Sequence, residues 1–312
     1  MKRRDLLIGS IALLGSAAVA GGGTAIALSS VVPPPPKPAP AATPETAAAQ
    51  ATPAHGAPAP ASGHGAQPTA AAGSGAAPAA DHAPAAATGS HWDYEGPTGP
   101  QAWGDLEPAS AVCKQGGAQS PIDLADGLRV PALPGLQINY GATKVKVTNN
   151  GHTFQVNVDK GSSLTIDGKK FDLLQFHFHT PSEHTLERRA YPLELHLVHQ
   201  AADKNLAVIG VLMAEGAPNM LLTKFWERLP RSSGEVDTGQ TIDLKELLPR
   251  NIDDYLTYSG SLTTPPCTES VRWIVLRRSV EVSKAQIAAF RTVFPMNARP
   301  TQPVGARLIL SS

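Results

Sequence analysis

Between residues 33 and 90 the chain holds 13 prolines and 23 alanines, three formal charges and almost nothing large and apolar. Such a stretch has too little apolar surface to offset the entropy lost on ordering it, so no core forms there. Proline at this density keeps it extended, and patches such as Gly73-Ser74-Gly75 loosen it into a semi-rigid, disordered spacer. The 42% apolar content of the 312 residues therefore misleads, because much of it is alanine outside any core. His55, His64 and His82 fall in this stretch without fixed spacing and are read as unspecific.

The segment before the spacer, residues 1 to 32, reads as an export signal. Lys2-Arg3-Arg4 precedes an apolar run from Leu6 to Ala20, a basic region followed by a hydrophobic one of secretory length. Arg3-Arg4-Asp5-Leu6-Leu7 resembles a twin-arginine signal, and Ala18-Val19-Ala20 offers a cleavage site. The alternative is an uncleaved anchor continuing to Val32, which would tether the protein to a membrane. Either way the expected location is periplasmic or otherwise extracytoplasmic. With 26 basic against 26 acidic residues, the chain has no long-range attraction for phosphate, which argues against a nucleic-acid partner.

What folds is therefore residues 91 to 312, enough for one domain with a substantial core. Alternation dominates. Lys144–Val147, Phe154–Val158, Leu164–Ile166, Phe176–His179, Leu193–Val198 and Val271–Leu276 read as strands, and the wholly apolar run Ala207–Met213 as a central one. Helices look short and peripheral: Asn219 caps a stretch to Leu229, and Ser283 with Gln286 forms a capping box for one ending near Phe294. The expected class is mostly β (α+β), a single domain on one large mixed sheet.

Histidines fall into this alternation in a telling way. His177 and His179 sit two apart on a strand, so both leave the same face about 6 to 7 Å apart while Phe176 and Phe178 point the other way. A second strand presents Glu194 and His196 on one face, adding a third imidazole with a carboxylate beside it. Three neutral nitrogens suit zinc, Zn2+, and a fourth position left to water makes such a site catalytic.

Several blocks then carry a resemblance. Gln175-Phe176-His177-Phe178-His179, Ser182-Glu183-His184-Thr185, Glu194 through His199 and Tyr258 through Pro266 are similar, in sequence and order, to the alpha-class carbonic anhydrases. Trp92-x-Tyr94-x-Gly96, Gly99-Pro100, Trp103 and Gln119 through Leu124 match that family's start, and Asn297-x-Arg299-Pro300 its end. The resemblance implies a central, mainly antiparallel sheet of about ten strands, with zinc in a conical cleft. It implies reversible hydration of carbon dioxide to bicarbonate by zinc-bound hydroxide, with a histidine shuttling the proton. Relatives often form dimers, so a homodimer is an expectation too.

Residue by residue, the resemblance makes His177, His179 and His196 the zinc ligands, which strand geometry had nominated. Gln175, Glu194 and the Asn297 carbonyl become the acceptors that hold their other nitrogens. Thr263 would orient the hydroxide and donate to Glu183; Val198, Val208, Leu262, Thr264 and Trp273 would line the substrate slot; and His152 would be the proton shuttle. Cys113 and Cys267 are the only cysteines, and an even count in an exported chain favours a disulfide over two separate thiols. As in many bacterial and extracellular relatives, it would clamp the loop presenting Thr263. Ala298 and Gln155 depart from common family residues and bear on the water network. Two alternatives remain. His177-x-His179-x-x-x-Glu183 also fits a cupin's metal motif, although Pro181 interrupts the strand a cupin would continue; and a zinc-free, carbonic-anhydrase-like binding module is the other.

Overall fold

A computed structural model describes residues 91–312 apart from Asp126 and Ala132; the expected export segment or anchor and the spacer lie outside the described residues. The alternating runs form the body of a 12-stranded sheet. Its main strands are β1 (Ala142–Asn149), β2 (Phe154–Asn157), β3 (Lys169–His179), β4 (Leu193–Gln200), β5 (Leu206–Glu215), β6 (Gly234–Asp243), β7 (Tyr255–Ser261) and β8 (Glu269–Val282). They lie in the order β6-β1-β2-β3-β4-β5-β8-β7, prolonged at the β7 end by Leu310–Ser311 and Leu128–Arg129. Neighbours along this path are antiparallel except β5 with β8 and the two short end segments, which run parallel.

The period-2 pattern sorts each central strand onto two faces. Phe176 and Phe178 of β3, Leu193, Leu195 and Leu197 of β4 and Ile274 and Leu276 of β8 enter one large core. Fully burying an aliphatic or phenyl side chain contributes about 1.5–3 kcal/mol, so this layer holds the sheet to its helices. The opposite face carries Val208 and Leu212 of β5, Tyr258 of β7 and Trp273 of β8, and also His177, His179, Glu194 and His196. β5 is buried on both sides, which explains its unbroken apolar run.

Two helices cover the first face. α1 (Met220–Trp226) starts where the Asn219 side chain accepts from the Leu222 amide, and α2 (Lys284–Arg291) starts at the expected Ser283–Gln286 capping box. Both end about one turn earlier than the sequence predicts. After α1 the Arg228 amide turns back to the Phe225 carbonyl, and Pro230 follows. After α2 the amides of Val293 and Phe294 both reach Phe290 as isolated turns before Pro295, which still lets Phe294 pack edge-on against Phe154. The sheet is open, with strand edges, and not the small closed barrel that a cupin needs; that alternative falls here. Among the described residues no helix is long and apolar enough to cross a membrane.

One buried histidine belongs to the scaffold. His199 is fully enclosed, donates from Nδ1 to the Ala207 carbonyl (3.2 Å) and has its Nε2 2.7 Å from the Tyr140 hydroxyl, which donates to it. Burial lowers its pKa to about 4, against the opposing pull of the Ala207 and Leu197 carbonyls. Because the folded value lies below the unfolded one of about 6.5, the stabilisation is complete above pH 6.5 and is lost as the pH falls towards 4. Between those limits this one group should cost the fold on the order of 3 kcal/mol. Urea unfolding of His199→Gln at pH 6.5 and 4 is expected to show a correspondingly smaller loss than wild type; equal losses would assign the acid sensitivity elsewhere.

Candidate metal centre

Register brings the histidines together. His177 lies directly opposite His196 across β3 and β4, and His179 opposite Glu194. Directly opposed residues on one sheet face have Cβ atoms about 5 Å apart. The ring centroids are 5.0 Å apart for His177 and His179, 5.2 Å for His177 and His196 and 4.6 Å for His179 and His196, and one ligand atom from each residue falls within 4.8 Å of the others. On β5 the position opposite His196 is Gly210, where an added Cβ would lie 3.0 Å from Glu194 Oε1. Glycine here leaves room for the carboxylate.

Each ring has one nitrogen committed. His177 Nδ1 donates to Gln175 Oε1 (2.8 Å), His179 Nδ1 to the Asn297 carbonyl (2.7 Å) and His196 Nε2 to Glu194 Oε1 (2.9 Å). A carbonyl or carboxylate oxygen can only accept, so the protons sit on those nitrogens. The remaining lone pairs are His177 Nε2, His179 Nε2 and His196 Nδ1. His179 Nε2 is a buried atom with no hydrogen-bond partner among the described residues, an arrangement that costs free energy unless something binds there.

Electrostatics keep at least two rings neutral, as a metal requires. Burial pushes His177 well below its usual range, and His179 and His196 push it further. Burial also lowers His179, against Glu183. His196 differs: burial acts downward, but the bonded Glu194 carboxylate outweighs it and the net shift is upward. Glu194 loses solvation, yet His184 and His196 together hold it well below the usual carboxylate range, so it stays an acceptor. The donor set therefore fits a metal ion: three convergent imidazole nitrogens, each with its other nitrogen anchored.

Comparison with known proteins agrees with this geometry. The family model of eukaryotic-type carbonic anhydrases matches residues 98–312. A carbonic anhydrase of a Nostoc species is 44% identical over 236 residues, covering 74% of this chain and 89% of that protein. One from Neisseria gonorrhoeae is 40% identical over 230 residues, covering 72% and 90%. The chain belongs to the eukaryotic-type carbonic anhydrases. Among solved structures, the alpha-carbonic anhydrase from Thermovibrio ammonificans, in complex with the inhibitor sulfanilamide, aligns with a TM-score of 0.69 at 44% identity, over 71% of this chain and 99% of that one.

Of the other expected residues, Trp273 meets a ring of the triad directly. Val208 and Trp273 are buried in the apolar cluster on this face, with Val198 and Leu262 packed against it, and the Trp273 ring lies 4.8 Å from that of His196. Thr263 is buried and Thr264 half-buried; the Thr264 carbonyl accepts from the Cys267 amide. Cys267 is bonded to Cys113, 154 residues away, so the expected disulfide forms at the end of that turn. Closing such a loop stabilises by about 5 kcal/mol in the chain-entropy account.

One expected contact is not made. Thr263 donates no hydrogen bond to Glu183. The Arg299 amide holds Glu183 Oε1 at 2.9 Å, and this turns Oε2 towards the rings, 3.5 Å from His179 Nε2 and 3.9 Å from His196 Nδ1, with no hydrogen-bond partner.

His152 is half-buried and stacked on Trp92, with ring centroids 3.7 Å apart and planes 8° apart. His152 borders a cleft of about 190 Å³ walled also by Asp93, Tyr94, Met296 and Asn297. Burial lowers the His152 pKa, with Asp93 opposing and His91 adding. Trp92 as the platform for His152 was not visible in the sequence, because 60 residues separate them. Nor was the double role of Asn297: its side chain donates to the carbonyls of His152 and Phe178 and accepts from the Thr180 amide, tying the His152 loop to the end of β3.

Replacing Glu194 by Gln keeps the shape but removes the charge that fixes His196. Metal affinity, measured by competition with a chelator, is expected to fall 10- to 100-fold, the range seen for such outer partners in general, carbonic anhydrases included. Unchanged affinity would mean that His196 is held by packing alone.

Proposed function

We propose that this protein is a zinc enzyme that reversibly hydrates carbon dioxide to bicarbonate and a proton, with His177, His179 and His196 as the zinc ligands. One observation carries the reading: in a chain of this family, all three imidazoles present an uncommitted nitrogen to one point. Bound there, zinc would lower the pKa of water to about 7, the value known for carbonic anhydrase, and so would supply a nucleophile at neutral pH.

The chain's own groups do the rest. Val198, Val208, Leu262 and Trp273 offer a weakly polar gas an apolar wall beside His196. Thr263 would orient the attacking water through its hydroxyl while donating its own hydrogen bond to Glu183 Oε2, the carboxylate oxygen with no other partner. Glu183 cannot drift, because the Arg299 amide grips its other oxygen. His152 then takes the proton released when the nucleophile is regenerated; an imidazole at a cleft wall, ordinarily titrating near 6.5, exchanges it with solvent.

We also propose an extracytoplasmic location. The basic, apolar N-terminus supports it, as does the Cys113–Cys267 disulfide, which persists in oxidising compartments.

The decisive test is zinc content with stopped-flow carbon dioxide hydration on wild type and His196→Ala. About one zinc per chain with fast hydration, both lost in the variant, is the expected result. Zinc without hydration would shift attention to Thr263, Glu183 and access to the cleft, whereas a wild type that binds no zinc would leave the zinc-free binding module. For His152→Ala, turnover in dilute buffer is expected to drop while kcat/KM holds, with added free imidazole restoring the rate. Unaltered turnover would move the proton path to another group.

A further inference from the structure

Glu194 does more than hold His196. Its Oε1 also accepts from His184 Nδ1 (2.8 Å), and its Oε2 from the His184 amide (2.8 Å). His184 Nε2 lies 2.7 Å from the Tyr258 hydroxyl, which lies 2.8 Å from Ser120 Oγ. Ser120 and Ser261 are cross-linked: the Ser261 amide donates to Ser120 Oγ (3.0 Å), and the Ser120 amide to Ser261 Oγ (2.9 Å). Ser261 Oγ donates in turn to the Leu262 carbonyl (2.7 Å), one residue before Thr263. Ser120, Tyr258, His184, Glu194 and His196 are all buried, so water does not short-circuit the chain.

Satisfaction of every proton fixes its direction. Glu194 can only accept, so His184 carries a proton on Nδ1. If His184 also donated from Nε2, Tyr258 would have to donate to Ser120. The Ser120 hydroxyl, already accepting from the Ser261 amide, would then have no acceptor. Buried polar groups are rarely left so. In the other sense each proton has a place: Ser120 to Tyr258, Tyr258 to His184, His184 to Glu194. The fold also makes space for this chain. A Cβ at Gly260 would come within 2.1 Å of Ser120 Oγ and 2.7 Å of the Tyr258 ring.

We propose that Ser120, Tyr258 and His184 are positioning residues for the metal centre, a one-directional hydrogen-bond chain that fixes Glu194 and, through it, the angle at which His196 Nδ1 meets the metal. The proposal rests on the zinc reading above. Its consequence is that metal retention is sensitive to a hydroxyl on β7 that touches neither the metal nor a ligand.

The test measures zinc loss to pyridine-2,6-dicarboxylate from the zinc-loaded full chain, together with the visible spectrum of the Co2+-substituted protein. The variants are Tyr258→Phe, Ser120→Ala and, as a matched control, Tyr140→Phe, which deletes an equally buried hydroxyl bonded to the scaffold histidine His199. Tyr258→Phe is expected to speed zinc loss about 10-fold and to shift the Co2+ bands, with Ser120→Ala giving about 3-fold. Tyr140→Phe should lower the melting temperature but keep wild-type retention and spectrum. Wild-type retention in Tyr258→Phe, or equal acceleration in Tyr140→Phe, would overturn the proposal. If Tyr258→Phe does not fold, Ser120→Ala decides: faster loss supports the chain, and wild-type retention sinks it. A wild-type protein that takes up no zinc would overturn the zinc reading itself.

Discussion

Three imidazoles side by side, two of them buried and His177 half-buried, are tolerable only if each has one nitrogen protonated against an acceptor and the other left as a lone pair. Much of the architecture follows from that requirement. β3 contributes two rings and Gln175, β4 contributes the third ring and Glu194, and the Asn297 carbonyl arrives from the segment after α2. Burial is what makes the arrangement work. It depresses His177 and His179, so they present lone pairs and not charges, while Glu194 stays ionised because two histidines donate to it.

The two faces of the sheet divide the labour. The phenylalanines and leucines on one side bind the sheet to α1 and α2 and make it rigid. On the other, a smaller apolar cluster around Trp273 and Val208 stands beside polar side chains that would be costly to bury singly. They are affordable because they are networked: Ser261 with Ser120, Ser120 with Tyr258, Tyr258 with His184, His184 with Glu194. Arg299 plays a comparable part nearby. Its amide holds Glu183, while its guanidinium donates to the carbonyls of Cys113 and Ser120 and to Gln119 Oε1, so the disulfide segment and the Glu183 carboxylate share one anchor.

Much of this was legible beforehand because period-2 patterning is local. The positions of His177, His179, Glu194 and His196 relative to Phe176, Phe178, Leu195 and Leu197 dictate which leave the same face, with no knowledge of the fold. The helix caps at Asn219 and Ser283 are equally local, and both form. Helix ends were less legible: each helix gives way to backbone turns that close on the carbonyls of Phe225 and Phe290. Pairing each ligand with its acceptor came through resemblance, since Asn297 lies 118 residues from His179.

What the chain's own pattern determined is the set of groups able to bind a metal: two strands and the parity of three histidines and one carboxylate. What only the tertiary structure decided is which nitrogen of each ring is free, where Glu183 Oε2 points, what His152 rests on, and that Tyr258 and Ser120 stand behind Glu194. The reason is physical. Strand alternation is a property of successive residues, whereas a hydrogen bond between residues 60 or more apart exists only once register and packing have brought them to within about 3 Å.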